Sequence, residues 1–447
     1  MRTPSRLLAI SSLGLALAGT ADARTRPHYG GELRVESATP NSSIGTIAAD
    51  FVTESLTSID SDGQVQPLLA ERWDSQNGGR RWQFWLRTNV RFHDGKVLSG
   101  ADVTEALNNK RGAPWRTVRA NGSTVIVECD DPQLLLPETL ALRQFAIFST
   151  DTSGVLIGTG PFRLTGAPGT SIKLVAFDDY WQGRTYLDSV VVTGGRGLRD
   201  QWLDLSVARA EIVEVPAEQI RRAQQERIRT LLSRNMELIA LVLSTNSQAL
   251  QDARMRQAIS AAVDRTSLLN VIFQKQGEVA TGILPNWMTG YDFLFSSGQN
   301  LALARDLRNQ VKQNGTITIS YESGDSIQQL LAERVVLNAR DAGIAMQSGP
   351  RGVREVDLEL VRTSLASTNS GLALHQITAS FLPDETEAVA ADLNSIYADE
   401  RELLSSARII PLLYVPRAFG GSPRLRNWTL GPDGLPAIAQ IWMEDRR

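Results

Sequence analysis

Alternating hydrophobic and polar residues mark the strands of this chain. Over residues 81–87, Trp82, Phe84 and Leu86 occupy every second position, which is the spacing of a strand with one buried face. Trp85 interrupts the polar face. Its ring either stacks on a ligand or packs under a loop, and the pattern alone favours the second interpretation.

Other segments extend this pattern into a mixed α/β fold. The predicted strands span residues 30–36, 124–129, 316–321 and 409–415. Apolar residues at helical spacing predict helices that begin near Gly100, Asp252, Asp264 and Ser326. Because the strand at 316–321 precedes the helix at 326–340, we expect a βαβ unit there. A later helix is predicted with Asp384 and Glu387 at its N-terminus, carrying Val389, Leu393, Ile396 and Tyr397.

The first residues have the features of an export signal. Arg2 and Arg6 precede an apolar run over residues 7–17, and Ala21-Asp22-Ala23 follows as a small-x-small cleavage site. We therefore predict a signal peptide over residues 1–23, a mature chain that begins at Arg24, and a periplasmic location. The alternative is an N-terminal membrane anchor, but the apolar run is short for a span.

Length and charge narrow the class of protein. The chain has 447 residues and a net charge of −3, which suggests two or three domains and gives no reason to expect a nucleic-acid partner. Cys129 is the only cysteine, so an internal disulfide is impossible. We expect Cys129 to be buried and inert.

No catalytic or metal-binding pattern stands out. The three histidines, His28, His93 and His375, lack metal-ligand spacing, and the sequence contains no phosphate-binding or dinucleotide-binding glycine loop. Residues 324–326 read Gly-Asp-Ser, which we interpret as a turn and helix N-cap rather than a hydrolase nucleophile. Residues 60–63 read Asp-Ser-Asp-Gly, which we interpret as a turn rather than a calcium loop. We predict no enzyme activity, no cofactor and no metal site.

Four segments together carry a resemblance to a known family. They are the turn–strand–turn–helix order over 68–106, Gly-Thr-Gly-Pro at 158–161, Asp-Tyr-Trp followed by Leu-Asp-Ser-Val at 179–190, and the Ala-Arg-Met-Arg-Gln-Ala-Ile block with Asp-Arg over 253–265. In this order they resemble the family 5 periplasmic solute-binding proteins, which deliver peptides, nickel chelates and similar solutes to ABC importers.

This resemblance implies a two-lobed periplasmic binding protein fold of type II with an extra inserted domain, built from mixed sheets flanked by helices. It implies a first lobe of residues 24–44, 158–245 and 420–447, an inserted small domain of 45–157, and a second lobe of 246–419. It also implies a monomer that captures a peptide or small solute between its lobes and delivers it to an inner-membrane permease. The alternative is a periplasmic sensor or interaction protein on the same scaffold.

The resemblance is weakest where such proteins typically hold a peptide amine. Members that bind peptides carry a Trp-x-x-Asp-x-x-Asp-Pro element in the late lobe, whereas residues 348–383 contain no Trp and no Asp-Pro. Asp357 either replaces the amine partner or is a surface residue. The side chains that we predict to contact ligand are Ser37, Asn41, Ser42, Trp287, Tyr291 and Arg362.

Overall fold

The computed structural model describes residues 26–38, 49–110, 112–165, 169–244, 247–296, 298–312, 315–352, 356–383 and 389–444. The strands are β1 (Glu32–Glu36), β2 (Thr57–Ile59), β3 (Val65–Pro67), β4 (Ala70–Gln76), β5 (Arg81–Leu86), β6 (Thr117–Asn121), β7 (Thr124–Glu128), β8 (Ser149–Thr150), β9 (Leu156–Ile157), β10 (Phe162–Thr165), β11 (Ser171–Ala176), β12 (Ser189–Thr193), β13 (Ile212–Glu214), β14 (Arg229–Leu243), β15 (Glu278–Val279), β16 (Ile317–Tyr321), β17 (Met346–Pro350), β18 (Leu358–Ser364), β19 (Ile409–Gly421), β20 (Leu425–Arg426) and β21 (Trp442–Met443).

Helices connect these strands. The α-helices are α1 (Gly100–Asn108), α2 (Leu136–Thr139), α3 (Leu198–Ser206), α4 (Ile220–Gln225), α5 (Ala253–Ala262), α6 (Arg265–Ser267), α7 (Asn286–Thr289), α8 (Leu301–Asn309), α9 (Ser326–Asp341), α10 (Ser370–Phe381) and α11 (Leu393–Ser406). Short 3-10 turns lie at Asn77–Gly79, Arg143–Phe145, Ala217–Gln219, Asp292–Leu294 and Ile438–Gln440, and a π-helical segment, Leu268–Ile272, follows α6. Within the described ranges, none of these helices is both long and apolar enough to span a bilayer.

One large sheet passes through both lobes. Its strand order is β10-β11-β12-β1-β13-β19-β14-β18-β16-β17, and β15 pairs with β19. By the bounds expected from the sequence, the strands from β10 to β13 fall in the first lobe and those from β18 to β17 in the second. The two long central strands, β14 and β19, lie between these two sets.

The central pair is irregular at its middle. The antiparallel register of β14 and β19 shifts between Leu232 and Asn235, between Asn235 and Glu237, and between Ile239 and Ala240. Such irregularities bend a strand and increase its twist. The lobes therefore meet at a bent, bulged part of a continuous sheet.

The inserted unit has its own sheet and core. Its strand order is β4-β5-β7-β6, and α1 packs on it. Trp82, Phe84 and Leu86 are buried in alternation with half-buried neighbours, which confirms the predicted strand. The ring of Trp85 lies under the guanidinium of Arg72 at 3.7 Å.

Several local predictions are confirmed. The strand β16, the helix α9 and the strand β17 form a βαβ unit, in which Ile317 pairs in parallel with Met346. Asp325 caps α9 by accepting hydrogen bonds from the backbone N–H groups of Ile327 and Gln328. Asp60 accepts from the N–H groups of Asp62 and Gln64 in the β2–β3 turn. Cys129 is 6% exposed, and burial raises the pKa of its thiol to about 11.

The predicted N-terminus of the late helix is wrong. The helix α11 begins at Leu393, and Asp392 is its N-cap, accepting from the N–H groups of Asn394 and Ser395. Val389 precedes the helix. Asp384 and Glu387, the predicted capping residues, lie outside the described residues. The cap that forms is the acidic residue directly before the helical spacing begins.

A strained alanine offers a test of the backbone at the end of α3. Ala208 is exposed and has a φ of 57°, a left-handed conformation that costs an L-residue roughly 1–2 kcal/mol. We expect Ala208→Gly to raise the free energy of unfolding by about 0.5–1 kcal/mol, since glycine adopts this conformation freely but gains entropy when unfolded.

Chemical denaturation measures this effect, with Ala398→Gly as the matched control. Ala398 is an exposed residue in the interior of α11, so the same substitution should lower stability by about 1 kcal/mol. A loss of stability in both variants would contradict the strain at Ala208.

Candidate functional site

A buried carboxylate joins three distant segments at the boundary of the first lobe and the inserted unit. Glu54 is 8% exposed. It accepts hydrogen bonds from the Thr159 hydroxyl at 2.7 Å, the Tyr180 hydroxyl at 3.0 Å and the Trp181 indole N–H at 3.0 Å. Burial raises the pKa of the Glu54 carboxyl, against the effect of these donors. The carboxylate is thus fully used inside the protein, and we call this cluster the Glu54 junction.

The imidazole of His93 extends the junction. The Gly158 N–H donates to His93 Nδ1 at 3.3 Å, so Nε2 carries the proton and donates to the Gly160 carbonyl at 2.9 Å. Burial lowers the pKa of His93. A Cβ at Gly158 or Gly160 would lie 1.9 or 2.6 Å from backbone oxygens of the Phe51–Val52 segment, so only glycine fits at these positions.

The junction borders a cavity of about 480 Å³. Residues of the 50–59 segment, the 141–146 turn, the loop after β18 and the C-terminal 431–440 segment line it. Its charged lining residues within the described chain are Asp50, Glu54, Arg143 and Asp433, and its hydroxyl groups include those of Ser367 and Thr368.

A second cavity of about 760 Å³ lies beside the first. The inserted unit contributes Gln133 and Phe145 to its walls, and α10 contributes Leu372, His375 and Gln376. Leu142 and Ala366 line both cavities. The two cavities are therefore neighbours that share part of their walls, and we refer to both together as the cleft.

The loop after β18 contacts the β2–β3 turn of the inserted unit. The Thr368 hydroxyl donates to the Asp60 carbonyl at 2.6 Å, and the Asn369 amide donates to the Gly63 carbonyl at 3.5 Å. A Cβ at Gly63, whose φ is 78°, would lie 2.7 Å from the Thr368 carbonyl oxygen. These contacts join the loop to the inserted unit at the edge of the cleft.

An ion pair lies in the smaller cavity of the cleft. Arg143 pairs with Asp50, whose side chain is 18% exposed. Burial raises the pKa of Asp50 to about 7, and the negative charge of Asp433 adds to this rise, while Arg143 and Arg417 oppose it. Asp50, Asp433 and Arg143 all line this cavity.

The predicted ligand contacts that the structure describes lie elsewhere, each with a partner in the protein. The hydroxyl of Ser37 donates to Glu214 at 2.7 Å. The Trp287 indole N–H donates to the Asn235 carbonyl at 3.0 Å, and the Tyr291 hydroxyl donates to Glu400 at 2.7 Å.

Arg362 lies at the bent part of the central strands. Its Nε donates to Glu237 at 2.9 Å, and the guanidinium of Arg417 lies 3.5 Å from the same carboxylate. Asn41 and Ser42 lie outside the described residues. None of Ser37, Trp287, Tyr291 and Arg362 lines either cavity, and their role as ligand contacts stays a prediction.

Asp357 is also engaged within the protein. Its carboxylate accepts from the Ser247 hydroxyl at 2.6 Å and from the Thr318 backbone N–H at 2.9 Å. Ser367 and Thr368, which lie within the 348–383 segment that lacks the Asp-Pro element, line the cleft. The sequence analysis did not single out these two residues, nor did it single out Asp50, Arg143 or Asp433.

A family model decides the identity of this scaffold. The model for bacterial extracellular solute-binding proteins, family 5, matches residues 64–386. The chain belongs to this family. The hydrogen-bond donors of the junction in this family 5 protein lie within the matched segment, whereas Glu54 and the 50–59 and 431–440 walls of the smaller cavity lie outside it.

Known proteins agree with the membership. The dipeptide-binding protein of Escherichia coli K12 is 24% identical over 274 residues, which cover 51% of each chain. The probable di/tripeptide-binding protein 5 of Pseudomonas aeruginosa UCBPP-PA14 is 24% identical over 284 residues, which cover 53% of this chain and 54% of that one. The chain thus spans about half the length of these curated relatives.

Solved structures share the fold over nearly the whole chain. AgaA from A. tumefaciens R10, in complex with agropinic acid, has a TM-score of 0.79 at 18% identity and covers 93% of this chain and 99% of that chain. NikA from Staphylococcus aureus, in complex with Ni(L-His)2, has a TM-score of 0.75 at 15% identity and covers 92% and 100%. The two-lobed fold expected for this family 5 protein is confirmed.

The Glu54 junction should contribute strongly to stability. Glu54→Ala leaves three buried donors without an acceptor, and we expect a loss of about 3 kcal/mol or more in the free energy of unfolding. Glu71→Ala, a change at an exposed glutamate of β4, should stay within about 0.5 kcal/mol of the unsubstituted protein. Denaturant titrations measure both, and equal stability of the two variants would refute the structural role of Glu54.

Asp50 should give the folding stability a measurable pH dependence. Its pKa is about 7 in the folded protein and ordinarily 3.8. Between these pH values the folded chain holds a proton that the unfolded chain has lost, so stability falls as the pH rises from about 4 to 7. We expect Asp50→Asn to remove about 1–3 kcal/mol of this decline, since one pKa unit is worth about 1.4 kcal/mol.

Denaturation of both proteins at pH 5, 6, 7 and 8 tests this expectation. The stability difference between them should change up to pH 7 and then level off. Asp151→Asn, at an exposed turn residue, is the control. Parallel pH profiles for the unsubstituted protein and Asp50→Asn would contradict the raised pKa.

Proposed function

We propose that this chain is the solute-binding component of an ABC importer. It captures a peptide-like or related small solute in the cleft and delivers it to a permease in the inner membrane. The cleft carries this proposal, because its two neighbouring cavities lie between the inserted unit and the loop after β18 with α10. Ligand sites of this kind are concave and lie between domains.

The construction of the cleft suits capture by closure. One wall is fixed to the first lobe by the Glu54 junction, and the opposite wall is the loop after β18 together with α10. The central strands β14 and β19 connect the two lobes and are irregular between them. Hinge motion of the lobes would open this cleft to solvent and close it on a solute.

The relatives indicate the range of solutes. Their names and complexes include a dipeptide, agropinic acid and a nickel–histidine complex. Export through the predicted signal peptide would place this chain in the compartment where such solutes are captured. Consistent with a binding role, the hydrogen bonds of the Glu54 junction hold the scaffold together.

Ligand binding and closure provide the test. A solute at a hundredfold excess over its dissociation constant stabilises the folded protein by about 2.7 kcal/mol. We expect at least one member of a peptide and metal-chelate library to raise the melting temperature and to reduce the radius of gyration in solution scattering. The importer function would be refuted if no member of the library raised the melting temperature or reduced the radius of gyration.

A blocking variant locates the site. Ala366 is exposed and lines both cavities, so Ala366→Trp should fill the cleft and abolish the ligand-induced rise in melting temperature. Ala101→Trp places the same side chain on an exposed face of α1 and should retain it. A full response in Ala366→Trp would exclude the cleft as the binding site.

A further inference from the structure

Three glutamine side chains line the larger cavity of the cleft, and they come from both of its walls. Gln133 lies in the loop before α2 and Gln144 in the 3-10 turn that follows α2, both in the inserted unit, whereas Gln376 lies on α10. Phe145 and Leu372 add apolar surface to the same walls. The cavity therefore combines carboxamide groups with apolar surface.

The carboxamide of Gln376 has no partner within the part of the chain that the structure describes. Among the described residues that line the larger cavity, Gln376 alone has a buried side-chain atom, Oε1, without a hydrogen bond. Gln201 in α3 shows the usual arrangement, because its Nε2 donates to the Arg196 carbonyl at 2.8 Å and its Oε1 accepts from the Glu214 N–H at 2.9 Å. A buried polar atom without a partner costs free energy. Beside a cavity, such an atom indicates a group that a bound molecule satisfies.

The described residues that line this cavity carry no carboxylate, ammonium or guanidinium group, and His375 is the titratable side chain among them. An ionised group that left water for these walls would find no opposite charge there to offset its desolvation. An uncharged amide or hydroxyl exchanges hydrogen bonds to water for hydrogen bonds to glutamine at little net cost. The larger cavity therefore favours uncharged polar groups.

An ion cluster behind the wall is bonded within the protein. The Ser364 hydroxyl, which lines the larger cavity, accepts from the guanidinium of Arg417. That guanidinium lies 3.5 Å from the Glu237 carboxylate, which also accepts from Arg362 at 2.9 Å. Glu237, Arg362 and Arg417 do not line either cavity. This part of the wall therefore presents a hydroxyl to the cavity.

We propose that the part of the solute held in the larger cavity is an uncharged group that both donates and accepts hydrogen bonds, and that Gln376 binds it. This inference rests on the proposed function and specifies the solute class. A carboxamide offers two donors and one acceptor, so Gln376 can accept from an N–H or O–H group of the solute and donate to its carbonyl or hydroxyl oxygen. The carboxamide of a peptide side chain and the hydroxyls of a sugar share this chemistry.

Tripeptides with one variable residue test this preference, together with maltose and maltotriose as hydroxylated probes. Each peptide contains two alanines and one residue X at the first, second or third position, where X is Gln, Met or Glu. Met matches Gln in length but lacks the carboxamide, and Glu matches it in shape but carries a charge. An equimolar mixture is offered to the full-length protein, and native mass spectrometry identifies the retained probes. We expect the Gln peptides or the sugars to be retained about tenfold more strongly than the Met and Glu peptides, which corresponds to about 1.4 kcal/mol.

Gln376→Met assigns this preference to one side chain. Methionine has a similar length and helix propensity but lacks the carboxamide, so retention of the preferred probe should fall about tenfold. The melting temperature of the unliganded variant should not fall, because the Gln376 side chain has no hydrogen bond to lose among the described residues. Gln224→Met is the matched control, since Gln224 is exposed in α4 and lines neither cavity. It should keep the full preference.

The outcomes separate this inference from the proposed function. A preference that is lost in Gln376→Met and kept in Gln224→Met supports the site, and the retained probe identifies a carboxamide or a sugar hydroxyl as its source. Retention of Met or Glu peptides at least as strong as that of the Gln peptides and the sugars, a preference unchanged in Gln376→Met, or a lower melting temperature of that unliganded variant overturns the inference and leaves the importer function standing. Retention of no probe also overturns it, and the importer function fails with it only if the broader library of peptides and metal chelates also has no effect.

Discussion

The carboxylate of Glu54 accepts hydrogen bonds from side chains that lie 105, 126 and 127 residues further along the chain. Burying a carboxylate without partners costs free energy, so this site is stable only when all three donors are in place. Their arrival sets the position of the inserted unit on the first lobe, and His93 ties a further turn to the same place. One wall of the cleft is a direct consequence of this arrangement.

Three of the four segments that carry the family resemblance meet at this carboxylate. Residues 158–161 contribute Thr159 and the two glycines, residues 179–190 contribute Tyr180 and Trp181, and the turn after β5 contributes His93. These residues hold the scaffold together. The resemblance therefore predicts the fold well but does not determine which solute binds. The residues that line the cleft lie between these motifs.

Local patterns could be predicted because their causes are local. The alternation of Trp82 and Phe84 and the cap at Asp325 depend on neighbours within a few residues. The sequence could not predict that Asp50 and Asp433 line the same cavity, because only the folded C-terminal segment brings them to one place. Trp287 and Tyr291 suggested ligand contacts by residue type, yet their polar atoms are used by Asn235 and Glu400. The residue types alone could not reveal these partners, because Asn235 lies in β14 and Glu400 lies in α11.

The continuous strands β14 and β19 have a consequence for the architecture as a whole. The two strands pair with each other, and on their outer edges β14 pairs with β18 and β19 pairs with β13. A gene fragment that encoded one lobe alone would leave one of these strands without its partner and would expose an unpaired strand edge. A change in the angle between the lobes would have to be absorbed by the twist of this shared pair. The two lobes therefore cannot be separated without breaking the central ladder.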